Sequence, residues 1–252
     1  MKTVLVTGAS SGIGEAIAYQ FAENGWNVIA TGRRKKHLAN LQNSIFKKCN
    51  NEITILNFDV RNRSEVEKSL ESLDIENNPI DLLVNNAGLS LGLDDFDEAQ
   101  VEEWDQMIDT NVKGLLYVSK FISKYMKVVK AGHIINIGSI AGYNVYPKGH
   151  VYCASKFAVR AISEGMREDL IKYNIKVSSL NPGMVDTEFS KVRFRGDESK
   201  AEQVYKGFTP LKARDVAETI FYMANTPEHV NLSEVIILPK AQSNAYFTHK
   251  EF

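Results

Sequence analysis

Three observations predict a doubly wound α/β domain with a central parallel sheet of about seven strands. Short β-branched, apolar runs alternate with longer amphipathic stretches along the 252 residues, joined by brief connections. The first of these runs ends in a glycine-rich turn that opens a helix. No linker, internal repeat or low-complexity tract divides the chain, so residues 1–252 are expected to form one domain. In such a sheet the ligand sits beyond the carboxyl ends of the strands.

Composition narrows the class. At 44% hydrophobic the chain can bury a sizeable core. A net charge of -1 makes no electrostatic case for nucleic acid or an anionic membrane surface. No apolar run reaches the roughly 18 to 20 residues that span a bilayer. The N-terminus runs straight into a strand, without signal-peptide architecture. Cys49 and Cys153 lack metal-site spacing, so no metal is expected, and a reduced, cytoplasmic setting is.

Residues 2–7 are apolar and β-branched and read as a buried parallel strand. Gly8-Ala9-Ser10-Ser11-Gly12-Ile13-Gly14 follows, then an amphipathic helix to residue 24. Gly8 permits a sharp turn, Gly12 lets the backbone approach a pyrophosphate, and Gly14 allows close helix packing. The helix N-terminus then offers N–H groups and a positive dipole end to phosphates. The spacing is Gly-x-x-x-Gly-x-Gly, not the commonest dinucleotide fingerprint, and a turn without a ligand is the alternative. The second strand, 26–31, runs into Gly32-Arg33-Arg34 with no acid at its end. An acid there would bind a ribose 2′-hydroxyl, whereas planar guanidinium groups suit a 2′-phosphate. Arg33 and Arg34 therefore point to NADP, while Lys35 and Lys36 read as the solvated face of the next helix.

A third strand, 52–58, ends at Asp59-Val60. The carboxylate either accepts from an adenine amino group or caps the helix that follows at 64–73. The fourth strand, 80–84, closes with Asn85-Asn86-Ala87-Gly88, which lets the backbone lie close to a ligand or simply ends the strand. After a loop at 90–97, a long helix with room for a break runs from 101 to 130. Asn111 falls inside it, where an amide satisfies something buried. Residues 133–137 form the fifth strand, followed by Gly138-Ser139-Ile140-Ala141-Gly142. This is not the Gly-x-Ser-x-Gly elbow of a hydrolase, and no His/Asp partners accompany it. The sixth strand, 175–180, ends in Asn181-Pro182-Gly183-Met184-Val185-Asp186-Thr187. The polar segment after it, 188–210, sits where a lid is usually inserted. A helix at 213–224 and a strand at 234–238 complete the sheet. The tail, 241–252, has no clear pattern and is expected to reach across a subunit interface.

Val151-Tyr152-Cys153-Ala154-Ser155-Lys156 opens the helix between the fifth and sixth strands. Tyr152 and Lys156 are four residues apart and share one helix face. A phenol titrates near ~10 and an ammonium near ~10.4, so the cation is expected to favour the phenolate and draw the tyrosine's pKa down. Such a pair passes a proton to or from a substrate oxygen. The spacing is common on amphipathic helices, so its weight comes from the motifs before it. Cys153 reads as a small, partly buried residue rather than a nucleophile.

In this order and spacing, the motifs resemble the short-chain dehydrogenase/reductase family along essentially the whole chain. The carrying residues are Thr7 to Gly14, Asn85-Asn86-Ala87-Gly88, Asn111, Ser139, Tyr152 with Lys156, and Pro182-Gly183 with Thr187. The resemblance implies a Rossmann-type fold with Tyr152 as general acid/base. Lys156 would depress the tyrosine's pKa and hold the nicotinamide ribose. Ser139 would hydrogen-bond the reacting oxygen, and Asn111 would hold a water joining Lys156 to solvent. Pro182, Gly183, Val185 and Thr187 would border the nicotinamide. Asp59, Val60, Asn86, Ala87 and Gly88 would line the adenosine side, with Gly8, Ser10, Ser11, Gly12, Ile13 and Gly14 at the phosphates.

Three stretches resemble a subgroup more narrowly: Val28 to Arg34, Asn86 to Gly92, and Thr187 to Asp197. They look like the NADP-dependent 3-hydroxy acid dehydrogenases, which include serine and L-allo-threonine dehydrogenases and malonic semialdehyde reductases. The likeness implies a homotetramer that oxidises a short 3-hydroxy acid at its β-hydroxyl. A carboxylate substrate needs a cation, for which Arg193 and Arg195 on the lid are candidates; otherwise both face solvent or a neighbouring subunit. In one departure, Ser11 stands where NADP-dependent members often carry a basic residue. Other carbonyls, such as a 3-oxoacyl thioester, a ketosteroid or a pterin side chain, are the alternative substrates. An idle nucleotide sensor is the remaining alternative, and a complete set of Asn111, Ser139, Tyr152 and Lys156 speaks against it.

Overall fold

Strands that are apolar on both faces are stable only between two helical layers. β1 (Thr3–Val6) is buried at every position, and the rest of the chain wraps it accordingly. In the computed structural model, which describes residues 1–251, it is followed by α1 (Gly12–Glu23), β2 (Asn27–Gly32), α2 (Lys35–Cys49), β3 (Thr54–Asn57), α3 (Arg63–Glu71) and β4 (Leu82–Asn85). The second half comprises α4 (Val101–Ile108), α5 (Leu115–Val129), β5 (Gly132–Ile137), α6 (His150–Leu170) and β6 (Ile175–Pro182). After these come β7 (Val185–Asp186), α7 (Phe189–Arg193), α8 (Glu198–Tyr205), β8 (Leu211–Lys212), α9 (Ala213–Ala224) and β9 (Glu234–Ile237).

Seven strands join in the order β3-β2-β1-β4-β5-β6-β9, all parallel. On one face Ile17 and Phe21 of α1, Leu38 of α2 and Ile220 of α9 fill the core. On the other, Val66 of α3 and Val118, Ile122 and Met126 of α5 do so. The sheet is therefore the expected one, with ends displaced by a residue or two: β2 reaches Gly32, β4 reaches Asn85 and β6 reaches Pro182. The strand order reverses between β1 and β4, which opens a crevice at their carboxyl ends.

The long helix expected at 101–130 does break. Between α4 and α5 the backbone widens into a π-helical turn, Asp109–Gly114. Such turns insert one extra residue and re-aim a side chain; here they bury Asn111. Gly114 closes the turn against β3's exit, where a Cβ would meet Val60 Cγ2 at 2.7 Å.

The lid segment holds two short helices, α7 and α8, and its base is pinched by the ladder of β7 with β8. Two-residue strands have no periodicity, so the sequence did not signal this pairing. The described part of the tail packs against the lid and its base. Gln242 accepts from the Met184 amide at 2.8 Å, Lys250 Nζ donates to the Val204 carbonyl at 3.2 Å, and the Glu251 amide donates to Gly207 at 2.8 Å. Phe252 lies outside the described residues. Among the described residues, no helix is long and apolar enough to cross a membrane, and no group of His, Cys, Asp and Glu could hold a metal.

Candidate active site

A cleft of about 420 Å³, open to solvent, runs across the carboxyl ends of the sheet. It brings the glycine turn and Arg33-Arg34 at one end together with Ser139, Tyr152 and Lys156 at the other. Val60, Asn86 to Gly88, Pro182, Gly183, Val185 and Thr187 also line it. Gly14, Asp59, Asn111, Arg193 and Arg195 do not line it.

The turn after β1 is held by β4. Gly8 has a φ of +67°, and a Cβ there would lie 2.8 Å from Ala87 Cα. Thr7 Oγ1 accepts from the amides of Asn86 and Ala87, each at 3.0 Å, and Asn86 Nδ2 donates back to Thr7 O at 2.9 Å. Thr7 thus clamps the turn to the end of β4, a role that no local sequence pattern signals. Gly14 packs tighter still: a Cβ would fall 2.4 Å from Gly8 O and 2.5 Å from Asn86 Nδ2. Gly14→Ala is expected to destabilise the fold by about 1–3 kcal/mol through overpacking and to abolish NADPH binding. Thermal unfolding and a fluorescence titration with NADPH measure the two effects.

Ser11 is the N-cap residue of α1, but its side chain makes no capping bond and instead accepts from Arg34 Nη2. The first amides of α1 are left free of side-chain acceptors at a positive helix end, a site suited to a pyrophosphate. Arg34 Nε also donates to Ser10 Oγ at 3.1 Å. Arg33 leans toward Asp59 at 3.7 Å, and Arg61 binds the same carboxylate at 2.7 Å. Burial works to raise the Asp59 pKa, yet the Arg61 hydrogen bonds and the Arg33 charge hold it below the usual range. Asp59 does not cap α3; Asn62 does, its Oδ1 accepting from the Ser64 and Glu65 amides at 3.2 and 3.3 Å.

At the other end, Tyr152 is 9% exposed and packs edge-on against Phe189 of the lid, 5.8 Å between ring centres. Lys156 Nζ donates to Ile137 O at 2.9 Å and lies 5.9 Å from the Tyr152 ring centre. Burial lowers the Lys156 ammonium to about 8. Burial also raises the Tyr152 phenol above its ordinary value, and Arg193 and the adjacent Ser139 hydroxyl pull it back only in part. This corrects the expectation that pairing with Lys156 lowers it: desolvation of the buried phenol outweighs the charges and donors around it. Ser139 caps a short 3₁₀ turn, Ile140–Gly142, its Oγ accepting from the Ala141 amide at 3.1 Å. That bond leaves the hydroxyl proton free to donate.

Asn111 closes the back of the site. Its Oδ1 accepts from the Leu89 amide at 2.8 Å, and its Nδ2 donates to Leu89 O at 2.8 Å and to Ser155 Oγ at 3.0 Å. Ser155 in turn donates to Tyr152 O at 2.7 Å. Asn111 thereby pins the 89–90 loop to α6. Gly88 forms the wall between Asn111 and Lys156, where a Cβ would sit 3.3 Å from Asn111 Oδ1 and 3.6 Å from Lys156 Nζ. Along the chain Ser155 shows only as a small polar residue one turn from Tyr152, and its role as a link from Asn111 to Tyr152 O emerges in the fold.

The two lid arginines part ways. Arg193 lies 5.2 Å over the Tyr152 ring, with Nε donating to Ser90 Oγ at 3.0 Å and Nη2 to Tyr146 OH at 2.7 Å. Arg195 points away instead, gripped by Glu103 at 2.6 and 2.9 Å and by Asp94 at 2.7 Å. Its guanidinium is occupied by two carboxylates of its own chain, so it ties the lid to α4 and the 90–94 loop. Cys153 is fully buried, and burial pushes its thiol up, which suits an inert packing residue.

A family model for short chain dehydrogenases matches residues 2–198. An NADP-dependent 3-hydroxy acid dehydrogenase of Salmonella typhi is 45% identical over 243 residues, 96% of each chain. A serine 3-dehydrogenase of Agrobacterium fabrum is 37% identical over 245 residues, 97% of this chain and 96% of its own. Among solved structures, the closed form of a serine dehydrogenase complexed with NADP+ matches with a TM-score of 0.92 and 43% identity, covering 99% of this chain and all of that one. The match reaches from the glycine turn past the lid's first helix, and by that measure the chain belongs to the short-chain dehydrogenase family.

Proposed function

We propose that this enzyme interconverts the β-hydroxyl and carbonyl of short 3-hydroxy acids with NADP, using Tyr152 as the general acid/base. It is an oxidoreductase of the CH–OH group, and the reading is carried furthest by one observation: the Arg193 guanidinium over the Tyr152 ring. A carboxylate two carbon–carbon bonds from the reacting carbon, about 1.5 Å each, would reach a cation so placed. Of the five Arg193 donors, those at Nε and one at Nη2 hold Ser90 and Tyr146, and the others remain for an anion.

The cleft's residues fit NADP, with Gly8 to Gly14 and the open amides of α1 at the phosphates, Arg33 and Arg34 at the 2′-phosphate, and Lys156 at the nicotinamide ribose. The cofactor, when bound, supplies or accepts the hydride. In reduction the Tyr152 phenol gives its proton to the carbonyl oxygen; in oxidation the phenolate takes it from the hydroxyl. Ser139 donates its free hydroxyl proton to that same oxygen. Asn111 acts as a brace for Leu89 and Ser155, and its position beside Gly88 and Lys156 supports the proton path to solvent implied by the family. Exposed Val128, Val129, Tyr222 and Phe247 support subunit contacts of a homotetramer. Two separate cysteines support a cytoplasmic setting.

Absorbance at about 340 nm follows the reduced nicotinamide. Purified protein with NADP+ or NAD+ and a panel of serine, L-allo-threonine, 3-hydroxyisobutyrate and uncharged alcohols tests the reading. A rise confined to NADP+ and the β-hydroxy acids supports it; activity on uncharged alcohols alone sinks it. Arg193→Met is expected to lower kcat/KM for a hydroxy acid by roughly 10- to 150-fold, the loss of a charge-assisted hydrogen bond. Turnover of an uncharged alcohol should fall far less. Equal losses on both would remove Arg193 from carboxylate binding.

A further inference from the structure

Arg34 serves two parts of the molecule at once. Its Nε and Nη2 reach Ser10 and Ser11 in the glycine turn, and its Nη1 donates to Glu188 Oε2 at 3.1 Å, across 154 residues of sequence. Glu188 is the residue that opens α7, the first helix of the lid. The Arg34 hydrogen bond holds the Glu188 carboxyl below its usual range. A second acid stands close by: burial and the Glu188 charge both raise Glu15 of α1. Arg33, meanwhile, leans on Asp59. The guanidinium bonded to the turn is therefore already paired with a carboxylate from the lid.

A 2′-phosphate of NADP carries more charge than a carboxylate and three acceptor oxygens, so it competes strongly for a guanidinium fork. A carboxylate left in place beside it would face a like charge. We propose that Glu188 is a built-in competitor for the 2′-phosphate: it holds Arg34 until NADP arrives, then yields it, and so limits how strongly the site prefers NADP to NAD. On yielding, the start of α7 comes free, while its far end stays held by Arg193 on Ser90 and Tyr146. Glu188 is thus a specificity residue acting through Arg34. The inference rests on the NADP reading of the cofactor and is independent of the substrate.

Two nucleotides without a nicotinamide ring test it. Calorimetric titrations of the whole protein with 2′,5′-ADP and with 5′-AMP would be run on wild type and E188Q at low salt, where exposed charges are least screened. The expected result is 2′,5′-ADP binding roughly two- to fivefold tighter in E188Q, the scale of an exposed ion pair, with 5′-AMP unchanged. Adding Arg34→Met should erase that gain, which a general loosening of the lid would not predict. Equal or weaker 2′,5′-ADP binding in E188Q overturns the proposal, since Glu188 would then be orienting Arg34 for the phosphate. Wild type that fails to prefer 2′,5′-ADP over 5′-AMP removes the NADP reading and this proposal with it. A wild-type preference that E188Q leaves unimproved removes the proposal alone.

Discussion

Tyr152→Phe is expected to cut turnover by about 10²–10⁴-fold, the range of a lost general acid/base, and to leave NADPH binding nearly unchanged. Phe fits because the ring is what the site packs: it lies 5.8 Å from the Phe189 ring and among Leu89, Met107, Ala141 and Cys153. Only the hydroxyl is removed, and Ser139 keeps its bond from the Ala141 amide. The Ser139 hydroxyl loses the phenol as a partner but lines the open cleft, where water can replace it, so the fold should tolerate the change. Steady-state rates at about 340 nm and a fluorescence titration with NADPH give the two readouts. Turnover within tenfold of wild type would mean another group moves the proton. The wild-type pH profile carries its own sign. Burial raises the phenol's pKa, so oxidation, which needs the phenolate, should climb through the alkaline range. Reduction needs the phenol and should hold at neutral pH.

Lys156→Met is expected to abolish useful turnover and, in the same protein, to change the pH dependence of folding. Burial lowers the Lys156 ammonium from 10.5 to about 8. The unfolded chain therefore binds a proton more readily than the folded one between those values. Stability of the wild type rises with pH wherever the unfolded state holds more protons. Below pH 8 the full cost applies, roughly 3 kcal/mol for such a shift, and it fades as pH climbs to 10.5. The variant has no such group, so wild type should gain roughly 3 kcal/mol relative to it between pH 7 and 10.5. The loss of the Lys156 bond to Ile137 O affects both pH values alike and cancels from the comparison. Urea unfolding of both proteins without nucleotide, at each pH, measures the difference. A gap that stays constant would show that Lys156 is not charged and desolvated in the way its burial dictates.

Both predictions start from residues that the sequence had already singled out, and the reason is local. Tyr152 and Lys156 share a helix face because their spacing matches the helical period. The glycine turn is legible because Gly8 and Gly14 each occupy places where a side chain would strike neighbouring backbone. The sheet, too, follows from the alternation of apolar runs and amphipathic helices.

Other features depended on where remote segments meet. The sign of the Tyr152 shift required knowing how deeply the phenol is buried. Asn111 could be read as buried, but its partners Leu89 and Ser155 lie 22 and 44 residues away. Arg193 and Arg195 were equal candidates along the chain. They separate only because a turn at Arg195, with a φ of +53°, sends it toward Glu103 while Arg193 stays over Tyr152. The Arg34–Glu188 pair was invisible for the same reason.

The sheet, the glycine turn and the Tyr152–Lys156 pair are legible along the chain, and Arg33-Arg34 stand out as guanidinium groups suited to a phosphate, since each depends on period, bulk or charge within one short stretch. Only the packed fold separates Arg193, over the Tyr152 ring, from Arg195 on Glu103, brings Leu89 and Ser155 to Asn111, and pairs Glu188 with Arg34. Those outcomes depend on burial and on contacts between segments distant along the chain, and local pattern carries no record of either.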